Sequence, residues 1–157
     1  MPKFNMTRKY PYAAAEIFAV ASDVASYSAF VPLVRDSKVW KRQTQDDGTR
    51  TFKAALTISY KKLNIREVIR ADMTVDDKAM TIAGTSADGM LKHLNSLWKV
   101  RALAEGGAEV EMDIDYAMKN KMMQVLVSGM FDLAMRRIAN ALGDRVAAIY
   151  GHQRVEA

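Results

Sequence analysis

The chain has 157 residues, half of them hydrophobic and 26% charged. This suits one folded domain around one core and excludes the low-hydrophobicity signature of disorder. There is no cysteine, which removes disulfides, thiolate catalysis and cysteine-ligated zinc together. The net charge of +5 is uneven: residues 35–70 carry ten Lys or Arg against four Asp or Glu, whereas residues 105–115 hold Glu105, Glu109, Glu111, Asp113 and Asp115 and no basic residue.

In chain order, residues 3–10 read as a strand, with Phe4, Met6 and Tyr10 on one alternating face, and Pro11 stops it. Ala13 to Ala21 reads as a helix whose apolar side is Ile17, Phe18 and Val20. Asp23 is placed to cap a second short helix from Ser26 to Phe30, which Pro32 ends. The pattern then turns to β: strands at 34–43 and 50–60 around the Gln45-Asp46-Asp47-Gly48 turn, a strand at 63–73, an Asp76-Asp77 turn, a strand near 79–84, and a loop from Gly84 to Gly89.

Residues 91–102 and 108–117 form the clearest hairpin, around Glu105-Gly106-Gly107. One register serves both faces. It sets Val100 opposite Val110, Trp98 opposite Met112, Ser96 opposite Ile114 and Leu94 opposite Tyr116 on the dry side, with Arg101 opposite Glu109 and Lys99 opposite Glu111 on the wet side. That register also gives part of the acidic run an ordinary role in cross-strand pairing. Residues 120–150 read as one helix of roughly 45 Å, with apolar positions at helical spacing and interior glycines at 129 and 143. The expected fold is therefore α+β, with seven antiparallel strands, two short helices after the first, and a long C-terminal helix. Such a sheet twists and curls, and one helix is narrower than the arc it must cover, so a gap between them is a natural small-molecule cavity. Residues 1–151 form the domain and 152–157 a short tail.

Catalytic and metal motifs are not found. His93 and His152 are far apart, and no HExxH, GxxxxGK[ST] or GxGxxG occurs. Asp113-x-Asp115 alternates with Met112 and Ile114 and reads as a wet strand edge. Glu67 falls on the apolar face of its strand, where a carboxylate needs a partner, water or a proton. An ion pair near the rim is the ordinary account, and a polar handle inside the cavity the functional one. Met112, Met118, Met122, Met123, Met130 and Met135 cluster on the last strand and helix, and methionine adapts to irregular apolar shapes. No apolar run approaches the roughly 20 residues of a membrane span, and Met1 to Thr7 resembles neither a secretory signal nor an import presequence. A cytoplasmic protein is expected, peripheral at most to the inner face of a membrane.

Several stretches in order resemble a known family: Val20-Ala21-Ser22-Asp23-Val24 through Tyr27-x-x-Phe30-Val31-Pro32, Ser37-x-Val39, Tyr60-Lys61-Lys62-Leu63 with Arg66-Glu67, His93-Leu94-x-x-x-Trp98-x-Val100, and Val110-x-Met112-x-Ile114-x-Tyr116, then Phe131 and Tyr150-Gly151. Together they resemble the coenzyme Q-binding group of the START-like, polyketide-cyclase superfamily, which includes the bacterial ribosome-association toxins. The resemblance covers nearly the whole chain. It implies a helix-grip fold, no enzymatic activity, no cofactor, and a polyprenyl quinone as bound ligand and partner, carried for respiration or quinone biosynthesis. Two alternatives stay open: a ribosome-binding regulator of subunit association, using the basic stretch 35–70 on RNA phosphates, and a polyketide cyclase-like enzyme.

Strand parity assigns the walls of the expected cavity. Phe30, Val31 and Pro32 stand at an entrance; Leu56, Ile58, Leu63, Ile65 and Ile69 on one wall; Leu94, Trp98, Met112, Ile114 and Tyr116 on another; and Met122, Met123, Leu126 and Met130 form the lid. Parity does not choose between Val39 and Trp40. An exposed tip at Phe30-Val31-Pro32, with Arg35, Lys38, Lys61 and Lys62 nearby, is the expected point of transient membrane contact.

Overall fold

A computed structural model describes residues 3–151, the side chain of Leu63 excepted. His152 and the tail lie outside the described residues. β1 (Lys3–Tyr10) leads into α1 (Ala14–Ser22) and a 3-10 turn (Val24–Ala29). Six strands follow: β2 (Val34–Thr44), β3 (Arg50–Tyr60), β4 (Ile65–Asp76), β5 (Thr81–Ser86), β6 (Leu91–Ala102) and β7 (Ala108–Met118). The 30-residue α2 (Lys121–Tyr150) closes the chain. All seven strands form one antiparallel sheet in the order β1-β7-β6-β5-β4-β3-β2. This is the helix-grip arrangement.

The β6–β7 hairpin has the expected register, from Leu94 opposite Tyr116 through Trp98 opposite Met112 to Arg101 opposite Glu109. On the wet side Arg101 Nη2 donates to Glu109 Oε2 at 2.6 Å, and Asn5 on β1 donates to Asp113 at 2.6 Å. Met112, Ile114 and Tyr116 face the dry side and are buried. His93 stands on the wet side, 3.2 Å from Asp115.

Local chemistry moved several boundaries. The expected helix after Asp23 is a 3-10 turn, and Asp23 caps no backbone N–H; its carboxylate accepts from Ser26 Oγ at 2.7 Å instead. The strand expected at 63–73 begins two residues later, because Lys61–Leu63 forms a tight turn ended by Asn64 in the left-handed region at φ 53°. Asp76 Oδ1 accepts from the N–H groups of Lys78 and Ala79, so the turn before β5 is longer and that strand starts at Thr81. Gly84, read as the start of a loop, is inside β5 opposite Met73 and Ser96. A Cβ there would stand 2.8 Å from Met73 Sδ. On β2, Val39 packs towards the core and Trp40 is exposed. Two register shifts and a positive φ at Lys41 distort this edge strand, which discourages pairing with another chain.

α2 starts at Asn120, whose side chain accepts from the N–H groups of Met122 and Met123, and ends at Gly151 in the left-handed region. Its C-terminal half is pinned to the sheet. Tyr10 Oη donates to the Ala139 carbonyl at 2.6 Å, Arg8 donates to Asn140 at 2.6 Å, and Ala139, Leu142 and Val146 are buried. Gly143 permits this approach: a Cβ there would lie 3.0 Å from the Tyr10 ring. Gly129 has no such reason, since a Cβ there meets nothing within 4 Å. Gly129→Ala is therefore expected to stabilise the protein by about 1 kcal/mol through helix propensity alone, read as a higher urea midpoint. Gly143→Ala offers the same propensity gain but must displace Tyr10, and a smaller change or a loss is expected.

Candidate ligand-binding cavity

The core is not uniform along the sheet. At the end where β1 finishes, Ile17, Val75, Val110, Leu142 and Val146 fill the space between α1, α2 and the strands. Towards the other end, where β3 passes into β4 and β6 pairs with the last residues of β7, a cavity of about 340 Å³ opens beneath α2. Its position follows from how the helix is held. Phe131 stacks on Tyr116 at 4.4 Å between ring centroids and meets Phe4 edge-on at 5.4 Å. These contacts tie α2 to β1 and β7, at one side of the sheet, and leave β3 to β6 facing it across a gap.

Phe30, Val31, Pro32 and Leu33 line one side of this cavity; Leu56, Ile58, Ile65, Ile69, Ala71 and Met73 line a wall from β3 and β4; Ile82, Gly84, Leu94, Ser96, Trp98, Ile114 and Tyr116 line the floor. From the helix come Val127, Met130, Phe131, Ala134 and Ile138. No Asp, Glu, His, Lys or Arg is among the lining residues. Most of the expected site residues are thus brought together. Four of them are not. Met112 is on the expected face but wholly buried among its neighbours, so it does not reach the cavity. Met122 is 73% exposed and Leu126 41%, on the outer side of the helix, and Met123 packs partly against the core without lining the gap. Both sides of the first turns of α2 are apolar, so hydrophobicity could not identify the inward one. Leu63's side chain lies outside the described part of the structure. Tyr60, Ala71, Met73 and Ser96 were missed, although each continues a strand parity already assigned to a wall; Ile82 was missed because β5 was assigned to no wall.

The segment expected to form an exposed tip turns inward: Phe30, Val31, Pro32 and Leu33 are only partly exposed and face the cavity. Leu33 has φ 73°, and its carbonyl accepts from the Ser59 N–H at 2.9 Å, which fixes the chain before β2. The Arg145 guanidinium lies 5.4 Å over the Phe30 ring and holds the segment from the helix side. Glu67, opposite Ile58, does not line the cavity and has no ion-pair partner among the described residues, so the expected rim salt bridge is absent there.

Few polar atoms face this space. Tyr116 Oη meets Ser128 Oγ at 3.3 Å, and Gln124 joins Ser128 to the Met118 N–H. Tyr27 Oη donates to the Ala21 carbonyl. That leaves the Tyr60 and Ser96 hydroxyls and the Trp98 indole N–H with no protein partner among the described residues. Each of the three can donate a hydrogen bond.

Burial pushes the Tyr27 and Tyr10 phenols above their ordinary value near 10, with the Asp23 charge adding to the effect at Tyr27. For an acid whose folded pKa is raised, the folded state keeps its proton after the unfolded chain has lost it. Stability from both groups is therefore complete below about pH 10 and falls as pH rises beyond it. Thermal unfolding between pH 8 and 11 is expected to show a falling Tm above about pH 10, with the slope reduced in Tyr27→Phe.

A second hollow of about 580 Å³ lies at the opposite end, between α1 and the β2–β3 hairpin. Although larger, it is half polar, and its Arg50 is held by both oxygens of Asp77 at 2.9 and 2.7 Å. The apolar cavity beneath α2 is the better candidate for a ligand.

Residues 10–142 match the family model described as polyketide cyclase/dehydrase and lipid transport. Over 150 residues the chain is 24% identical to the ribosome association toxin RatA of Escherichia coli K12, spanning 96% of this chain and 90% of that protein. The fold is similar to the solution structure of the 18 kDa protein CC1736 from Caulobacter crescentus, with a TM-score of 0.80, 22% identity, and 96% and 99% of the two chains covered. It is also similar to the Zhui aromatase/cyclase from Streptomyces sp. R1128, with a TM-score of 0.78, 11% identity, and 92% and 93% covered. Among the described residues no helix is long and apolar enough to cross a membrane, and no group of His, Asp or Glu is placed to hold a metal.

Proposed function

The chain belongs to the polyketide cyclase/dehydrase and lipid transport family, and from that premise we propose that it carries a polyprenyl quinone, with ubiquinone the leading candidate, without catalysing a reaction on it. The observation that supports this best is the character of the lining: predominantly apolar, without a carboxylate, imidazole or cationic side chain, and including Tyr60, Ser96 and Trp98, whose donors are unmatched. A quinone offers carbonyl oxygens that accept hydrogen bonds and an isoprenoid chain that gains about 0.8 kcal/mol per buried CH₂. Ser96 and Trp98 are two residues apart on one face of β6, so both reach the same region of the floor. An aromatase or cyclase reading finds less support, since tyrosine is the only titratable type along the wall.

Organic extraction of purified protein followed by mass spectrometry tests the reading. A stoichiometric quinone is expected; recovery of ordinary phospholipid or of nothing would overturn it. Ser96→Ala and Trp98→Phe should each weaken quinone binding by roughly five- to tenfold, the worth of about one hydrogen bond. The likeness to RatA supports a second reading, a ribosome-binding regulator. Salt-sensitive co-sedimentation with ribosomal subunits, lost when the basic residues of β2 are neutralised, would favour it.

A further inference from the structure

α2 carries an apolar stripe that covers nothing among the described residues. Met122 and Val125 are each 73% exposed, Leu133 56% and Leu126 41%. At 100° per residue these four, with Gly129, fall within an arc of about 100° on the outward side of the helix. The stripe stops abruptly: from Arg136 onward that side carries Arg136, Arg137, Asn140 and Asp144. It therefore belongs to the half of α2 that roofs the cavity, not to the half pinned onto the core.

Cations gather at the same end. Lys119 and Lys121 flank the start of the helix, and Lys61 and Lys62 form the turn between β3 and β4; all four are exposed and without an acidic partner among the described residues. The antiparallel pairing brings these turns to one edge of the sheet, because Tyr60 faces Ile65 and Leu91 faces Met118 there. The cavity reaches that edge through Tyr60, Ile65 and Met90.

We propose that the outward stripe of α2, framed by Lys61, Lys62, Lys119 and Lys121, docks this end of the protein on an anionic lipid bilayer. An RNA surface would match the cations but leave four large apolar side chains in water, whereas the headgroup boundary accommodates both. Cavity size points the same way. At about 340 Å³ it lies near the lower limit of ordinary ligand pockets, so a long isoprenoid tail must leave by the open end. This deepens the carrier reading and rests on it for the purpose of docking: the headgroup enters while the tail remains in the acyl layer.

Flotation of the full chain with vesicles of phosphatidylcholine alone, or with phosphatidylglycerol added, is the test. Binding is expected to the anionic vesicles only, to fall several-fold between low and high salt, and to drop at least tenfold in Val125→Asp/Leu126→Asp and in Lys119→Glu/Lys121→Glu. These residues are exposed, so an unchanged circular dichroism spectrum should accompany the loss. Equal binding to neutral vesicles, binding indifferent to either double variant, or no binding overturns the proposal. So does a stable dimer that Val125→Asp/Leu126→Asp converts to monomer, which would assign the stripe to a second copy, and so does protection of the stripe by ribosomal RNA alone. Extraction and mass spectrometry are read separately: docking without a bound quinone would leave the surface standing and remove the quinone.

Discussion

Ala134→Trp is expected to abolish quinone retention while leaving a folded protein. Ala134 sits on the inward side of α2 and lines the cavity at the level of Met130 and Ile138. An indole projected from there takes a large share of about 340 Å³ and displaces ligand instead of core. Excluding the equivalent of four methylenes forfeits about 3 kcal/mol, a loss of roughly a hundredfold in affinity. The fold is anchored elsewhere, by Tyr10, Ala139 and Leu142, so Tm should change little or rise as empty space is filled. Isothermal titration with a short-chain quinone, beside a thermal melt, reads both quantities. Undiminished affinity would place the ligand outside this cavity.

Tyr10→Ala is expected to have the largest effect on stability, about 3–5 kcal/mol, the usual cost of removing a buried aromatic ring. The ring fills the hollow left by the absent side chain of Gly143, and the hydroxyl reaches the Ala139 carbonyl. Losing both unfastens α2 from β1 and should expose the cavity roof to proteolysis. Tyr10→Phe keeps the ring and forfeits only the hydrogen bond, about 1 kcal/mol. Urea titration of the two variants separates the contributions; similar midpoints would mean that the hydroxyl, not the ring, holds the helix.

Much of this architecture is legible in the amino-acid sequence. The β6–β7 register could be read residue by residue because each strand alternates strictly and the charges of Lys99, Arg101, Glu109 and Glu111 complement one another only in that alignment. The same rule puts Leu56, Ile58, Ile65, Ile69, Leu94 and Trp98 on one side of their strands, the side that lines the cavity. Where local competition decides, the reading was less sharp. Asp76 gave its carboxylate to two backbone N–H groups and delayed β5, and Asn64 adopted a left-handed conformation that shortened the start of β4.

Periodicity is a property of neighbouring residues, and it sufficed for the succession of elements along the chain, the extent of the long helix and the dry side of β3, β4, β6 and β7, though not of β2. It could not orient a helix that is apolar on two sides. Met122, Met130, Leu126 and Phe131 are all large apolar side chains, yet only Met130 and Phe131 of the four line the cavity. The choice was made by contacts distant in sequence, the stacking of Phe131 on Tyr116 and the docking of Ala139 and Gly143 against Tyr10, which set the rotation of the whole helix. The same distant contacts turned Phe30 inward beneath Arg145 and left the exposed apolar surface on α2. Which residues are hydrophobic was written locally; which of them meet water depended on where a rigid 30-residue helix could be fastened to one side of a curved sheet.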